Sequence, residues 1–186
     1  MKKKENQRVK LTRRLLKDSI VELMHTKPIN KITIKEICEN AEINRSTFYL
    51  YYTDQYALLS EIEDELLQQA IKHLEKISTE TDSVSYLQIL LEYIQENADI
   101  FKTLLCQPDN RSFQQKFVAI SFQNLKQNLS QNFSESEKVS NYINSYLVMG
   151  SLNVIQRWIE SGFNTSAAEL ALLLFNLCKN AAAVYA

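Results

Sequence analysis

Glycine and proline are scarce in this chain of 186 residues, which contains two of each. Tight turns between strands depend on these residues, because glycine tolerates positive φ angles and proline fixes φ. An all-β protein of this length would need many such turns. The scarcity, together with abundant Leu, Ile, Gln, Glu and Lys, predicts an all-α fold.

Cysteine and histidine are also rare. Cys38, Cys106 and Cys178 are isolated and odd in number, which is typical of reduced thiols in a cytosolic protein. The two histidines, His25 and His73, lie far apart and have no second ligand at a useful spacing. We therefore expect no metal site and no cofactor.

Long apolar runs are missing as well. No stretch approaches the roughly twenty residues that a membrane span needs. The basic opening MKKKENQRVK is not followed by the apolar segment of a signal peptide. We expect a cytoplasmic protein with no membrane partner.

Catalytic signatures are not found either. The sequence offers no Ser-His-Asp set, no paired metal ligands and no glycine-rich phosphate loop. An enzyme that merely shares a helical scaffold would need reactive groups that converge from distant positions. We therefore do not expect an enzyme.

The charge is distributed unevenly. Residues 1–56 hold twelve Lys and Arg against seven Asp and Glu, a net +5, whereas residues 57–186 hold nine against fifteen, a net −6. Lys2, Lys3 and Lys4 supply three of the positive charges, so a solvated basic tail explains part of the difference. A basic first third joined to an acidic remainder is typical of a nucleic-acid-binding module attached to another kind of domain.

Residues 32–56, ITIKEICENAEINRSTFYLYYTDQY, contain two helix-start signals. Thr33 and Glu36 have the spacing of a capping box, in which each side chain binds a free backbone N–H of the other residue. Asn44 is a favourable N-cap for a second short helix. Only residues 41–43 separate the two, which predicts a helix-turn-helix over residues 33–52, a unit that places its second helix in the major groove of DNA.

The predicted outward face of the second helix carries side chains that donate hydrogen bonds. A guanidinium, hydroxyls and phenols suit base edges and phosphates. Arg45 is placed to reach a base edge, while Thr47 and Tyr49 suit phosphate. The full set of predicted DNA-binding residues is Thr33, Arg45, Ser46, Thr47, Tyr49, Tyr51 and Gln55.

The run TIKEICENAEINRSTFYLYYTDQYALL resembles the DNA-binding signature of the tetracycline-repressor (TetR) family. The positions that fit the family pattern are Thr33, Ile34, Ile37, Ala41, Ile43, Thr47, Phe48, Tyr49, Tyr51, Tyr52, Asp54, Leu58 and Leu59. The resemblance implies a homodimeric regulator of transcription that binds double-stranded DNA and responds to a small-molecule effector.

Three positions depart from the family pattern. Cys38 replaces a small Ala, which is a mild change. Glu42 stands where the family usually has a glycine in the left-handed conformation, so we expect about 1 kcal/mol of strain there. Gln55 stands where the family usually has a phosphate-binding Lys. We expect weaker sequence-independent affinity and a smaller salt dependence.

Nine helices are predicted in all. The first covers about residues 8–26, the fourth runs from about 54 to 77, and the last five cover about 83–97, 99–106, 110–131, 136–161 and 166–184. We place the DNA-binding domain at residues 1–56 and a helical effector-binding and dimerisation domain at residues 57–186.

Aromatic residues are frequent in the second domain. An aromatic stripe on such helices is more often plain core than a ligand cavity. The resemblance favours a pocket between the helices. The residues proposed to line it are Tyr86, Tyr93, Phe101, Phe117, Tyr142 and Tyr146.

The last two predicted helices carry more apolar residues than one buried face needs, which indicates a partner helix. The resemblance implies that these helices form a four-helix interface between two subunits. The residues proposed for the seam are Leu152, Ile155, Ile159, Leu173 and Leu177. A repressor released by an effector is the primary expectation, and a coactivator or activator that works through a protein partner is the alternative, which Gln55 keeps open.

Overall fold

The computed structural model describes residues 7–75, 83–107, 110–119 and 137–183. These ranges contain nine α-helices, one short 3-10 helix at Ile29–Lys31, and no strand, which confirms the all-α prediction. The α-helices are α1 (Gln7–Met24), α2 (Ile34–Asn40), α3 (Arg45–Phe48), α4 (Gln55–Glu75), α5 (Ser83–Glu96), α6 (Ala98–Leu105), α7 (111–119), α8 (Glu137–Glu160) and α9 (Ala167–Ala183).

The helix bounds lie close to those predicted from the sequence. The helices α5, α6, α8 and α9 each begin and end within about one or two residues of the expected positions. The predicted helix at 110–131 is described only for residues 111–119, and its remainder lies outside the described residues. None of the described helices is long and apolar enough to cross a membrane.

The chain divides into two compact units, Met1–Leu66 and Leu67–Ala186. The division falls inside α4, ten residues after the boundary that we placed at residue 56. Ion pairs explain the difference, because Glu61 and Glu65 on α4 bind Lys17 on α1. The first turns of α4 therefore belong to the first unit.

The core of the first unit is formed by side chains from all four of its α-helices. Ser19 on α1 donates a hydrogen bond of 2.9 Å to the backbone carbonyl of Ile37 on α2, which satisfies a buried hydroxyl. The fully buried apolar side chains are Leu16, Ile20, Met24, Ile32, Ile37, Phe48 and Leu58.

The second unit is built around the α5–α9 contact, its most extensive helix pair among the described residues. Phe101 on α6 lies at the centre of an aromatic cluster. Its ring centroid is 5.8 Å from that of Tyr93, 6.1 Å from that of Phe113 and 6.2 Å from that of Phe117. These separations are those of packed aromatic pairs.

A tight turn joins α8 to α9. The backbone N–H of Phe163 binds the carbonyl of Trp158, and that of Gly162 binds the carbonyl of Ile159, which is a Schellman ending. Gly162 supplies the positive φ of 75° that this ending requires. The Trp158 and Phe163 rings meet edge to face at 4.7 Å. The turn thereby positions α9 beside α8 within the second unit.

Candidate nucleic-acid interface

The capping box at the start of α2 is present. The Glu36 amide donates to the Thr33 hydroxyl at 3.3 Å, and the Thr33 amide donates to the Glu36 carboxylate at 2.9 Å. The Lys27 ammonium also binds this carboxylate. The hydrogen bonds from Lys27 and then Thr33 lower the pKa of Glu36 to about 2. Thr33 is exposed, and its hydroxyl is engaged in the cap.

The turn after α2 ends the helix with a left-handed residue. Glu42 has a φ of 54°. The Ile43 N–H binds the Cys38 carbonyl at 2.9 Å, and the Glu42 N–H binds the Glu39 carbonyl at 3.3 Å, which together form a Schellman ending. A side chain at this φ is strained, because Cβ lies close to the following carbonyl.

Replacing Glu42 by Gly is expected to raise the free energy of unfolding of the first unit by about 1 kcal/mol, because glycine adopts this conformation without strain. Chemical denaturation of the full chain followed by circular dichroism measures the change. Glu42→Ala is the matched control, since it removes the carboxylate but keeps Cβ. An Ala variant that gains as much as the Gly variant would exclude backbone strain as the cause.

Helix α3 is the second helix of the helix-turn-helix and therefore the predicted recognition helix. It is short and capped. The Asn44 side-chain oxygen accepts hydrogen bonds from the Ser46 amide and the Ser46 hydroxyl, both at 2.9 Å. Phe48 is fully buried and Tyr52 is nearly so, which fixes the inner face of this segment. The remaining side chains therefore face away from the core.

Most of the sequence-predicted DNA-binding residues lie on that outer surface. Arg45, Ser46 and Tyr49 are exposed, while Thr47, Tyr51 and Gln55 are partly exposed. Sequence reasoning missed Leu50, whose side chain is 75% exposed in the same segment. Leu50 lies between Tyr49 and Tyr51, which are both predicted to bind DNA, and this position was the available signal. An exposed apolar side chain in such a segment can contact a thymine methyl group.

A polar network behind the recognition helix was also missed. The Tyr52 hydroxyl donates to Glu61 at 3.2 Å and accepts from the Arg13 Nε atom at 3.3 Å. Arg13 also forms an ion pair with Glu61, and its guanidinium lies 5.9 Å from the centre of the Tyr52 ring. The network ties the end of the recognition segment to both α1 and α4.

The charges in this network stabilise each other. Burial alone would raise the pKa of Glu61, but hydrogen bonds from Lys17 and Arg13 outweigh it, so the pKa lies below its ordinary value. Burial likewise opposes the charge on Lys17, and its bonds to Glu61 and Glu65 raise its pKa nonetheless. Glu61 and Lys17 therefore remain ionised at neutral pH.

Within the part of the chain that the structure describes, the aromatic residues predicted to line a ligand pocket do not surround a common cavity. Tyr93, Phe101 and Phe117 are buried, and each ring packs against others of the aromatic cluster; Tyr86 is half-buried. The prediction for Tyr142 and Tyr146 needs correction, since their side chains are 78% and 76% exposed on the outer face of α8.

A small apolar cavity lies elsewhere in the second unit, between α5, α7, α8 and α9. Its volume is about 60 Å³, and its lining includes Leu90, Phe117, Leu152 and Cys178. Ligand sites for drug-sized molecules usually measure about 300–1,000 Å³.

The residues predicted for the subunit seam separate into two groups. Leu173 and Leu177, four residues apart on α9, are 50% and 53% exposed. Leu152, Ile155 and Ile159 are buried inside the second unit, which corrects their assignment. They occupy the face of α8 that is covered within the unit, because positions three and four residues apart share one side of a helix.

Two family models match the chain. The one described as bacterial regulatory proteins, tetR family, matches residues 16–62, and the one described as transcriptional regulator C-terminal region matches residues 81–180. The first includes the helix-turn-helix and, from the network behind it, Lys17, Tyr52 and Glu61. The second covers α5 to α8 and most of α9.

Two curated relatives match part of the chain. It is 24% identical over 115 residues to the HTH-type transcriptional regulator YxbF of Bacillus subtilis, which is 58% of this chain and 29% of the relative. It is 27% identical over 118 residues to the HTH-type dhaKLM operon transcriptional activator DhaS of Lactococcus lactis, which is 62% of this chain and 58% of the relative. The chain thus spans 29% and 58% of these two proteins.

Solved structures show the same fold. A TetR transcriptional regulator from Streptococcus agalactiae 2603V aligns with a TM-score of 0.74 at 18% identity, over 92% of this chain and 96% of that one. The dihydroxyacetone kinase operon activator DhaS aligns with a TM-score of 0.59 at 21% identity, over 94% and 97%. Because one family model covers more than half of the sequence and the other covers the helix-turn-helix, the chain belongs to the tetR family of bacterial transcriptional regulators.

Proposed function

We propose that this protein is a homodimeric repressor in the cytoplasm that binds a palindromic operator and is released from it by a small molecule. The DNA-binding part of this proposal rests on the outer surface of α3 and of the residues directly after it. Arg45 and Ser46 are exposed on this capped helix and Tyr49 is exposed directly after it, while Phe48 and Tyr52 anchor the inner face of the segment. Two such helices related by a two-fold axis enter successive major grooves about 34–36 Å apart. No enzymatic activity is part of this proposal.

Exposed apolar residues on α8 and α9 support the dimer. On α9, Leu172, Leu173 and Leu177 are about half exposed. On α8, Tyr142, Tyr146 and Met149 follow each other at spacings of four and three residues, so they share one face. Apolar faces of this kind cover each other when two copies associate. We assign them to the contact with a second copy of this chain.

Gly150 lies four residues after Tyr146, on the same side of α8. A Cβ added there would meet no atom within 4 Å, so packing within the protomer does not require a glycine. A glycine inside a helix costs about 1 kcal/mol relative to alanine. In the proposed dimer, its lack of a side chain lets the helix of the partner approach closely.

An activator is the second candidate function. It is favoured by the similarity to DhaS, which is named as a transcriptional activator. It is also favoured by Gln55, an uncharged side chain at the start of α4 that offers no ionic contact to phosphate. Such a protein would act at its promoter through a protein partner.

Arg45→Ala tests the DNA-binding role. Loss of a guanidinium that reads a base edge is expected to weaken binding to the cognate site by about 1–3 kcal/mol, with little change on random DNA. The cognate site is first obtained by selection of bound fragments from a genomic library. Fluorescence anisotropy at fixed salt then gives both affinities.

Arg14→Ala is the matched control, because it removes the same group from an exposed position on α1. It is expected to leave the ratio of cognate to random affinity unchanged. Equal losses on both DNAs for Arg45→Ala would remove Arg45 from the base-reading role. Transcription from the selected promoter, with and without the regulator, separates repression from activation.

A further inference from the structure

A polar cleft opens on the second unit where the end of α6 meets α7 and α8. Its volume is about 460 Å³, well above the 60 Å³ of the apolar cavity. Small-molecule sites commonly measure about 300–1,000 Å³. Six polar side chains line it, namely Arg111, Gln114, Asn153, Gln156, Arg157 and Glu160.

Hydrogen bonds to one carbonyl hold the walls of this cleft together. The Gln114 amide on α7 and the Gln156 amide on α8 donate to the backbone carbonyl of Leu105, at 2.8 and 2.6 Å. The Cys106 thiol donates to the Gln156 backbone carbonyl at 3.8 Å. Three helices are thereby fixed to each other, so the side chains that line the cleft project from a rigid frame.

The cleft brings together two cations from distant parts of the sequence. Arg111 and Arg157 are the two arginines among residues 67–186, a stretch with nine Lys and Arg against eleven Asp and Glu. Both line the same cleft although they come from different helices. A guanidinium presents a planar fork of donors that matches a carboxylate or a phosphate, which lysine does not.

Arg157 is oriented for such a contact. Its Nε atom donates to the Asn153 side-chain oxygen at 3.3 Å, which leaves the two terminal nitrogens for a ligand. Glu160 lies at the same cleft and supplies an acceptor for a hydroxyl or ammonium group. Burial and the negative charge of Glu160 raise the pKa of Cys106 to about 11, so its thiol stays protonated beside the site.

We propose that this cleft binds a small organic anion, in which a carboxylate or phosphate engages Arg111 and Arg157 and a hydroxyl or ammonium group engages Glu160. The dimensions and the two guanidiniums favour a compact, highly polar ligand over an extended apolar one. The apolar cavity, at about 60 Å³, is too small for either class as it stands.

The position of the cleft connects it to the proposed dimer. Tyr142, Tyr146 and Met149 are followed on the same exposed face of α8 by Asn153 and Arg157, each four residues after the one before it. The apolar half of this face is assigned to the partner copy and the polar half lines the cleft. A ligand there therefore binds the helix that carries the dimer contact. Only this link to regulation rests on the proposed function; the binding itself does not.

Isothermal titration calorimetry of the full chain tests the site directly. The probes are inorganic phosphate, succinate and malate, each raised to about 10 mM so that millimolar affinities are detected. Phosphate and the two dicarboxylates distinguish the anion class, and malate differs from succinate only by its hydroxyl group. We expect Arg111→Gln and Arg157→Gln each to weaken binding about tenfold or more, since each removes a charge-assisted hydrogen bond.

Two control variants distinguish specific binding in the cleft from a general effect of positive charge on the protein. Lys179→Gln removes one positive charge from α9, which contributes no residue to the cleft, and is expected to bind like the wild type. Arg157→Lys keeps the charge but loses the fork, and is expected to bind more weakly than the wild type. Thermal unfolding followed by the fluorescence of Trp158, the single tryptophan, verifies that each variant is folded.

Three results would overturn the site: no heat with any probe, equal binding by the wild type and both Arg→Gln variants, or equal weakening by Lys179→Gln. A shift from dimer to monomer caused by Arg111→Gln or Arg157→Gln without any probe would assign these arginines to the subunit contact instead. Binding that leaves operator affinity unchanged would contradict the proposed release by a small molecule and would confirm the site alone.

Discussion

Replacing Leu173 by Glu is expected to convert the protein into folded monomers that lose tight operator binding. Leu173 is 50% exposed, so a carboxylate there is solvated in the single chain and folding is retained. In the dimer the same carboxylate would be buried in an apolar seam without a partner, which is strongly unfavourable. Because two linked half-sites gain about 10²- to 10⁴-fold in affinity over one, we expect a loss of that order.

Sedimentation velocity at micromolar concentration measures the oligomeric state, and anisotropy with the selected operator measures the affinity. Gln115→Glu is the matched control, since it adds the same charge to an exposed position on α7, outside the two helices assigned to the dimer contact. It should remain dimeric. A wild type that sediments as a monomer, or a Leu173→Glu variant that stays dimeric, would contradict this interface.

Truncating Phe101 to Ala is expected to lower the free energy of unfolding of the second unit by about 3–5 kcal/mol, because a fully buried aromatic ring leaves a cavity that neighbours fill only in part. The ring contacts Tyr93, Phe113 and Phe117, which come from α5 and α7. Chemical denaturation followed by Trp158 fluorescence reports on this unit, since Trp158 lies in α8.

Phe101→Leu provides the graded control. It keeps most of the apolar volume and is expected to cost less than about 1.5 kcal/mol. A Phe101→Ala variant as stable as the wild type would mean that the ring lines an open pocket, as the family resemblance implies, and does not fill the core.

The local features of the DNA-binding unit could be predicted from sequence because they depend on neighbouring residues. The box of Thr33 and Glu36 and the Asn44 cap each involve residues two or three positions apart, and all are present. Glu42 was predicted to have a left-handed conformation because it stands at the glycine position of the TetR family pattern, and its φ of 54° agrees. Short-range chemistry of this kind leaves few alternatives.

The buried and exposed faces of the helices in the second unit could not be predicted in the same way. Helix α8 carries apolar residues on two sides, with Tyr146 and Met149 on one and Leu152 and Ile155 on the other. Periodicity shows that both sides are apolar but not which of them the rest of the unit covers. The covering elements, α9 among them, are distant in sequence. Phe101 shows the same limit, because residue type does not distinguish a filled core from a cavity.

The pairing of α1 with α4 has a consequence for protein synthesis. Arg13 binds Glu61 and Lys17 binds Glu65, each across 48 residues of sequence, so the two helices run parallel. The helix-turn-helix emerges from the ribosome before its supporting carboxylates do. Until Glu65 has been added, Lys17 lacks one of its two partners, and contacts of such long range form late. A nascent chain that stalled near residue 56 would therefore carry a complete recognition segment without the residues that hold it in place.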